Sequence, residues 1–353
     1  MYNNTSNPCA ALYHGYNCTG PSLPPTNLCA VVVLLSSFIA ATVLGNLLII
    51  CSIAFFKQLQ TFPTTLALSL ALSDFLVGLV IMPFAVMKTA YRCWFCASAF
   101  CNAHHFLDYM FTNSSIFHIT CIAFERYVAI SDPLRYRARV TRKTMAAMLL
   151  LCWLGSALFS SPSLVSLMSK SASGGLIQRV RCPNDCVFSV YIGIQAVIGI
   201  SPYFISLVVI VLVYGRIYSI ARRQAQKINS EGSRRRGQDA AAASAACTDA
   251  LHKWKAMRRE HNATKTLGVI IFFFLLSWLP YNVTVIVFEF VAYASDVYQV
   301  TLWIGYISSA FNPILYACFN RPFRTAFHRI LRLKVFTLAD RDFAFSTAQD
   351  GGH

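Results

Sequence analysis

Formal charge is scarce in this sequence: 12% of its 353 residues are Asp, Glu, Lys or Arg, about half the share that an average water-facing domain carries. That shortage excludes a soluble globular surface, because the rest of the composition, 56% hydrophobic, cannot hydrate one. Acids are scarcer than bases, 14 against 30. The first 26 residues lack a basic start, a short apolar stretch and a small-residue cleavage site, so no removable signal peptide is expected and the first apolar run should act as the anchor. No inverted internal repeat of the transporter kind is visible. Clustered His, Ser or metal ligands, which an intramembrane enzyme would need, are also missing: His104 and His105 are adjacent and should not converge on one helix face, and His118 has no evident acidic partner.

Long apolar runs take up the chain instead. Cys29 to Phe56, Thr144 to Met168, Val187 to Gly215, Thr266 to Phe288 and Val297 to Asn320 are charge-free and meet the ~20 residues that a spanning helix needs. Thr61 to Met87 is interrupted only by Asp74, and Phe95 to Ile130 by Asp108 and then Glu125-Arg126. The expected fold is all-α, a seven-transmembrane helix bundle surrounded by membrane lipid. The net charge of +16 does not indicate nucleic acid once its placement is read. With the start of the chain outside, the outer segments hold only Lys88, Arg92, Lys170, Arg179 and Arg181, leaving the other 25 of the 30 Lys and Arg on the inner side. This bias predicts an extracellular N-terminus and a cytoplasmic C-terminus.

The expected organisation is an outer tail over 1–28, a bundle over 29–320 and a cytoplasmic segment over 321–353. Asn3, Asn4 and Asn17 are candidate glycosylation sites in the tail, whereas Asn113 falls inside a span. An Arg-, Ala- and Ser-rich stretch over about 222–260 reads as a mobile cytoplasmic loop. After the last span, Arg321, Phe323, Arg324, Phe327, Ile330, Leu331 and Arg332 alternate apolar and basic at helical spacing, which predicts a short amphipathic helix on the inner membrane surface.

An acid inside a bilayer is costly and needs a reason. Asp108, about two turns inside the outer end of the third span, would stay ionised beside an aqueous cavity and pair with a cationic ligand. Trp278, Tyr281, Trp303 and Tyr306 could close an aromatic cage round an ammonium group. Asp74 lies mid-span with Asn46, Ser115, Ser308, Ser309 and Asn312 as oxygen-bearing neighbours, if the spans bundle in sequence order. A sodium ion or a hydrogen-bonded polar network would both fit there. Glu125-Arg126-Tyr127 ends the third span, eighteen residues or about 27 Å beyond Asp108, so one helix joins a cation site to a charged switch. Asp185, Glu289 and Asp296 could hold the distal nitrogen of a diamine or polyamine; solvated loop charges are the plain alternative.

Pro83, Pro162, Pro202, Pro280 and Pro313 interrupt five spans, and each permits a kink. Cys9, Cys18, Cys93, Cys96, Cys101, Cys182 and Cys186 fall on the side read as oxidising. A bridge from Cys101 to Cys186 would pin the long outer loop, and Cys182 could then take Cys9 or Cys18, although spacing does not establish connectivity.

Gly45-Asn46, Leu70-Ala-Leu-Ser-Asp74, Glu125-Arg126-Tyr127, Trp153, Trp278-Leu-Pro280 and Asn312-Pro-Ile-Leu-Tyr316, in this order and one per span, resemble the motifs of rhodopsin-like G-protein-coupled receptors. Phe56-Lys-Gln-Leu, Cys93-Trp94, Ser115-Ile-Phe-His118, Asp132-Pro-Leu-Arg-Tyr136, Lys265-Thr-Leu-Gly268 and Trp303-Ile-Gly-Tyr306 are similar to the trace amine-associated receptors. The resemblance implies an amine counter-ion at Asp108, with Tyr109, Trp278, Tyr281, Asn282, Trp303 and Tyr306 in the amine site. It implies a sodium-linked acid at Asp74 and a switch of Glu125, Arg126, Tyr214, Trp278 and Tyr316. The family's paired cysteines match Cys101 and Cys186, and its extra N-terminal bridge matches Cys182. Signalling through a stimulatory heterotrimeric G protein to cyclic AMP, in an olfactory setting, is implied in the same way. Departures are Glu125 for the usual Asp, Ser308 for the usual Asn, Ser206 where a proline is usual, and an Asn320-Arg-Pro-Phe323 ending without the family's Trp-Phe. No cofactor beyond an allosteric sodium ion is expected. The alternatives are a biogenic-amine receptor outside the olfactory group and, from another class, a cation transporter.

Overall fold

The computed structural model describes residues 24–91, 94, 96, 98–132, 135–164, 196–235, 267–287 and 295–332. They form α1 (Pro25–Phe55), α2 (Phe62–Tyr91), α3 (Ser98–Ser131), α4 (Arg142–Leu164), α5 (a π turn Ala196–Ile200 running into Ser201–Arg235), α6 (Leu267–Val287), α7 (Ser295–Phe319) and α8 (Arg321–Leu331). Six of these are long and apolar enough to cross a membrane. The seventh, α3, has 34 residues and owes its lower hydropathy to the polar and ionisable side chains it turns inward. The fold is the expected seven-helix bundle. α1 begins at Pro25, four residues before the apolar run does, because proline is preorganised for the first helical turn. α5 continues to Arg235, so helix occupies the start of the stretch read as a mobile loop; Arg222 and Arg223 still follow the helical register of the span.

The pattern of burial is inverted relative to a soluble protein. Leu154, Leu158 and Leu212 are exposed on the outside of the bundle, while Asn46, Ser73, Asp74, Asn113, Ser114, His118 and Asn312 are buried within it. This arrangement suits lipid outside and satisfied polar groups inside. α3 is central and packs against α2, α4 and α5, while α1 packs against α2 and α7. The Tyr203 hydroxyl donates to the Leu275 carbonyl at 2.7 Å and ties α5 to α6. On α8, Phe323, Ala326 and Phe327 are buried and Leu331 is exposed; Phe323 packs on Tyr316 with ring centroids 4.8 Å apart. The amphipathic helix is therefore present and docked on α7.

Three of the five span prolines, Pro162, Pro202 and Pro313, are accommodated by a common device. A helical proline has no N–H to give the carbonyl four residues earlier, and that carbonyl needs another donor. Four residues before Pro313 is Ser309, whose carbonyl accepts Asn46 Nδ2 at 3.0 Å. Four before Pro202 is Ile198, whose carbonyl accepts Asn113 Nδ2 at 2.8 Å. Four before Pro162 is Leu158, whose carbonyl accepts Ser161 Oγ at 2.7 Å. Asn46 and Asn113 thus stitch α1 to α7 and α3 to α5. The ring of Pro313 also needs room: a Cβ on Gly45 would lie 2.7 Å from Pro313 Cγ, which explains a glycine there. π turns at Val77–Ile81 and Ala196–Ile200 end just before Pro83 and Pro202, so at these two prolines the helix widens locally.

Candidate functional site

Asp108 stands on α3 facing α7, and its Oδ2 accepts the Tyr306 hydroxyl at 2.7 Å. Two chambers lie beside it. The first extends toward α5 and α6 past Tyr109, Thr112, Gly199, Trp278, Tyr281 and Asn282. The second extends toward α2 and α7 past Phe84, Lys88, His105, Tyr298 and Gln299. Asp108 and Leu302 line both. The acid is turned into the bundle beside both chambers, and Tyr109, Trp278, Tyr281, Asn282 and Tyr306 each line one of them.

The aromatic floor follows from helical spacing. Trp278 and Tyr281, three residues apart on α6, share a face, with centroids 5.6 Å apart and rings at 87°. Trp278 also meets Tyr306 edge-on at 6.0 Å. Such perpendicular contacts are the favoured geometry for ring quadrupoles. The indole lies against α7 because residue 305 is glycine: a Cβ there would fall 2.8 Å from Trp278 Cε3. Asn282 Nδ2 donates to the Trp278 carbonyl at 2.9 Å. Tyr281 and Tyr298 hydroxyls are 3.3 Å apart. Gly305, Tyr298, Thr112 and Leu302 were not singled out in the sequence, and only the indole's need for a gap one helix away marks Gly305.

Other residues named from the sequence lie outside these two chambers or beside them. Trp303 lines neither chamber. Its Nε1 donates to Thr89 Oγ1 at 2.9 Å, and its ring stands against Tyr306 at 5.7 Å, so it supports the cage from behind. Asp296 is exposed in the first turn of α7 and also lines neither chamber. Asp185 and Glu289 lie outside the described residues. His104 and His105, although adjacent, both border the second chamber. His118 is satisfied without an acid: Nδ1 is 2.7 Å from the Ser114 carbonyl and Nε2 is 2.8 Å from Ser69 Oγ, which also accepts Trp153 Nε1 at 2.9 Å.

One layer deeper, Asp74 is fully buried. Its Oδ1 accepts Ser115 Oγ at 3.0 Å and Ser309 Oγ at 2.9 Å, and its Oδ2 accepts Asn312 Nδ2 at 2.6 Å. α2, α3 and α7 thus meet at one carboxylate. Asn46 adjoins this network through the Ser309 carbonyl, while Ser308 Oγ donates to its own helix at the Gly305 carbonyl instead.

At the far end of α3, Arg126 Nε donates to Glu125 Oε2 at 2.6 Å and its Nη2 to Oε1 at 3.1 Å. The Tyr136 hydroxyl donates to the same carboxylate. Arg126 and Glu125 are both buried, so this fork holds the arginine in a charge-assisted pair. Tyr214 does not join it; its buried hydroxyl has no hydrogen-bond partner among the described residues. Cys101, at the start of α3, is disulfide-bonded, whereas Cys9, Cys18, Cys182 and Cys186 lie outside the described residues.

A seven-helix bundle with a buried ion-pair fork at one end and an acid-bearing cavity at the other is the architecture of a transmembrane receptor. The chain belongs to the rhodopsin family of seven-transmembrane receptors, whose family model, 7 transmembrane receptor (rhodopsin family), matches residues 45–316. It is therefore a G-protein-coupled receptor and a multi-pass protein of the plasma membrane, in a family of receptors and not of enzymes.

Within that family it groups with the trace amine-associated receptors. It is 38% identical over 356 residues to trace amine-associated receptor 365 of Petromyzon marinus, covering 99% of this chain and 92% of that one. It is 34% identical over 295 residues to receptor 8c of Mus musculus, covering 83% of each chain. Against receptor 7b of Rattus norvegicus it is 36% identical over 295 residues, covering 83% of this chain and 79% of the relative.

Proposed function

We propose that this receptor senses small amines, and that an ammonium group seated on Asp108 is the event that activates it. The observation carrying this reading is one carboxylate, held by Tyr306 and lining both chambers. A buried charge of this kind gains most from a hydrogen-bonded counter-ion, and the faces of Trp278, Tyr281 and Tyr306 add cation–π attraction. Binding would draw Asp108 and Tyr306 together round the ligand and shift the indole of Trp278 off Gly305. The end of α6 near Gly268 would then move away from Tyr214, freeing Arg126 from Glu125 for a G protein. This is a shift between two packings, driven by the ligand's greater affinity for one of them.

The proposal includes a stimulatory G protein, cyclic AMP as second messenger and an olfactory setting, which the motif resemblance implies, and an extracellular N-terminus, which the inner-side bias of Lys and Arg supports. Sodium fits the second buried acid: Asp74 with Ser115 and Ser309 is an all-oxygen donor set suited to a hard cation, and Asn46 Oδ1, buried nearby, lacks a hydrogen-bond partner among the described residues. Such an ion would favour the packing described here, since its ligands come from α2, α3 and α7.

The test is a cyclic AMP assay in transfected cells against mono-, di- and polyamines, with the wild type and Asp108→Ala. The expected outcome is a response to amines that Asp108→Ala abolishes at equal surface expression. An undiminished response in the variant would overturn the assignment.

A further inference from the structure

Two asparagines line the first chamber, Asn113 on α3 and Asn282 on α6, and they are only 2% and 4% exposed. Asn113 Nδ2 donates to the Ile198 carbonyl at 2.8 Å and to Ser160 Oγ at 3.3 Å. Asn282 Nδ2 donates to the Trp278 carbonyl at 2.9 Å. A carbonyl can only accept, so each amide must turn its nitrogen toward it, and that settles where each Oδ1 points. Neither Oδ1 accepts a hydrogen bond among the described residues. With the nitrogens committed and the side chains buried, the chamber is the space left to the two oxygens.

Both orientations are held from behind. Ile198 lies four residues before Pro202, so its carbonyl has no helical N–H to accept and fixes Asn113 instead. The Trp278 carbonyl belongs to the turn before Asn282, so that amide moves with the indole that floors the site. In the free receptor such oxygens turn to water, which a ligand arm entering the chamber displaces. An all-carbon arm leaves buried acceptors bare, which is costly, whereas an O–H replaces the bond that water made.

Resting on the reading of Asp108 as the ammonium site, we infer that the receptor's preferred ligands are hydroxylated amines, with the ammonium on Asp108 and a hydroxyl donating to an amide oxygen of Asn113 or Asn282. The two asparagines are then specificity residues, selecting amines with a donor-bearing arm over alkylamines of the same size. The Trp278 indole and Thr112 line the same chamber and could give a hydrogen to a ligand oxygen. An ether accepts but does not donate, so it separates the two directions.

The probes are straight-chain ω-amino alcohols from 2-aminoethanol to 6-aminohexanol, their methyl ethers, and the n-alkylamines and α,ω-diamines of matched length. Each is assayed for G-protein activation in membranes, normalised to surface receptor, on the wild type, Asn282→Leu, Asp108→Asn, and Asn113→Leu combined with Pro202→Ala. The N–H restored by Pro202→Ala can serve the Ile198 carbonyl in place of the lost amide, and Pro202→Ala alone is its control. On the wild type, at least one amino alcohol should exceed both its ether and the matched alkylamine by about 2- to 12-fold, the range of one hydrogen bond. One of the two asparagine replacements should bring that ratio close to unity without weakening the alkylamine.

Ethers or alkylamines as potent as the alcohols on the wild type would overturn the inference. So would diamines that exceed the alcohols at every length, or an alcohol-to-ether ratio that survives both asparagine replacements. If neither replacement reaches the surface, the alcohol-to-ether comparison on the wild type still decides. Loss of every response in Asp108→Asn, without alcohol-to-ether discrimination on the wild type, would sink this inference alone, whereas full responses in Asp108→Asn would sink the ammonium site itself.

Discussion

Replacing Gly305 with alanine bears on whether Trp278 is a moving part. The new Cβ would lie 2.8 Å from Cε3, 2.9 Å from Cζ3 and 3.0 Å from Cδ2 of the Trp278 indole, against the ~3.5–4.0 Å at which carbon atoms rest. Half an ångström or more has to be found. The indole is buried and wedged between Tyr281 and Tyr306, so it cannot yield like an exposed side chain. Overpacking of this kind costs about 1–3 kcal/mol. Since the close contact belongs to the packing in which Arg126 is held by Glu125, the cost falls on that packing, and each ~1.4 kcal/mol moves the equilibrium tenfold. Gly305→Ala should therefore raise ligand-free G-protein activation by roughly 5- to 150-fold in the ratio of the two packings. The assay is nucleotide exchange in membranes, normalised to surface receptor. Gly155→Ala serves as the control, because its Cβ would meet neighbours at no less than 3.5 Å. Unchanged basal activity in Gly305→Ala, at normal expression and ligand potency, would refute the idea that the indole leaves α7 on activation.

Four further outcomes are expected. Gly215→Ala adds a Cβ that meets nothing within 4 Å in the middle of α5, and should raise thermal stability by about 0.5–1 kcal/mol, read as the melting temperature of the purified receptor. Asn46→Leu strands the Ser309 carbonyl opposite Pro313 and should cost about 1–3 kcal/mol of stability in the same measurement. Glu125→Gln removes the charge holding Arg126 and should raise basal signalling, whereas a variant as quiet as wild type would show the fork to be passive. Exchanging external sodium for potassium at constant ionic strength should strengthen agonist binding, and Asp74→Asn should erase that difference; a salt effect surviving in the variant would remove sodium from Asp74.

Much of this was legible in the sequence because the bilayer simplifies the code. Runs of ~20 apolar residues announce spans, and an acid within one announces a buried site, so Asp74 and Asp108 stood out, and Ser115 could be placed near Asp74 from its distance along α3. What depends on packing between helices was not legible. Trp303 has the right residue type and span for the cage, but its N–H is taken by Thr89, a partner on α2 that spacing along α7 cannot reveal. His104 and His105 are adjacent, which argues against a shared site, yet both border the second chamber. The roles of Asn46 and Asn113 as donors to carbonyls orphaned by proline follow from the register between helices, although the prolines themselves were plain.

The central claim, that Asp108 is the seat of an ammonium group, is tested most directly by ligand binding to the purified receptor without any G protein. A cationic ligand that activates the wild type would be compared with its uncharged isostere, in which carbon or oxygen replaces nitrogen, on the wild type and on Asp108→Asn. The account predicts that the wild type favours the cation by at least ~30-fold, the scale of a buried charge pair, and that Asp108→Asn loses most of that preference while keeping its thermal stability. Equal preference for the charged ligand in both proteins would contradict it.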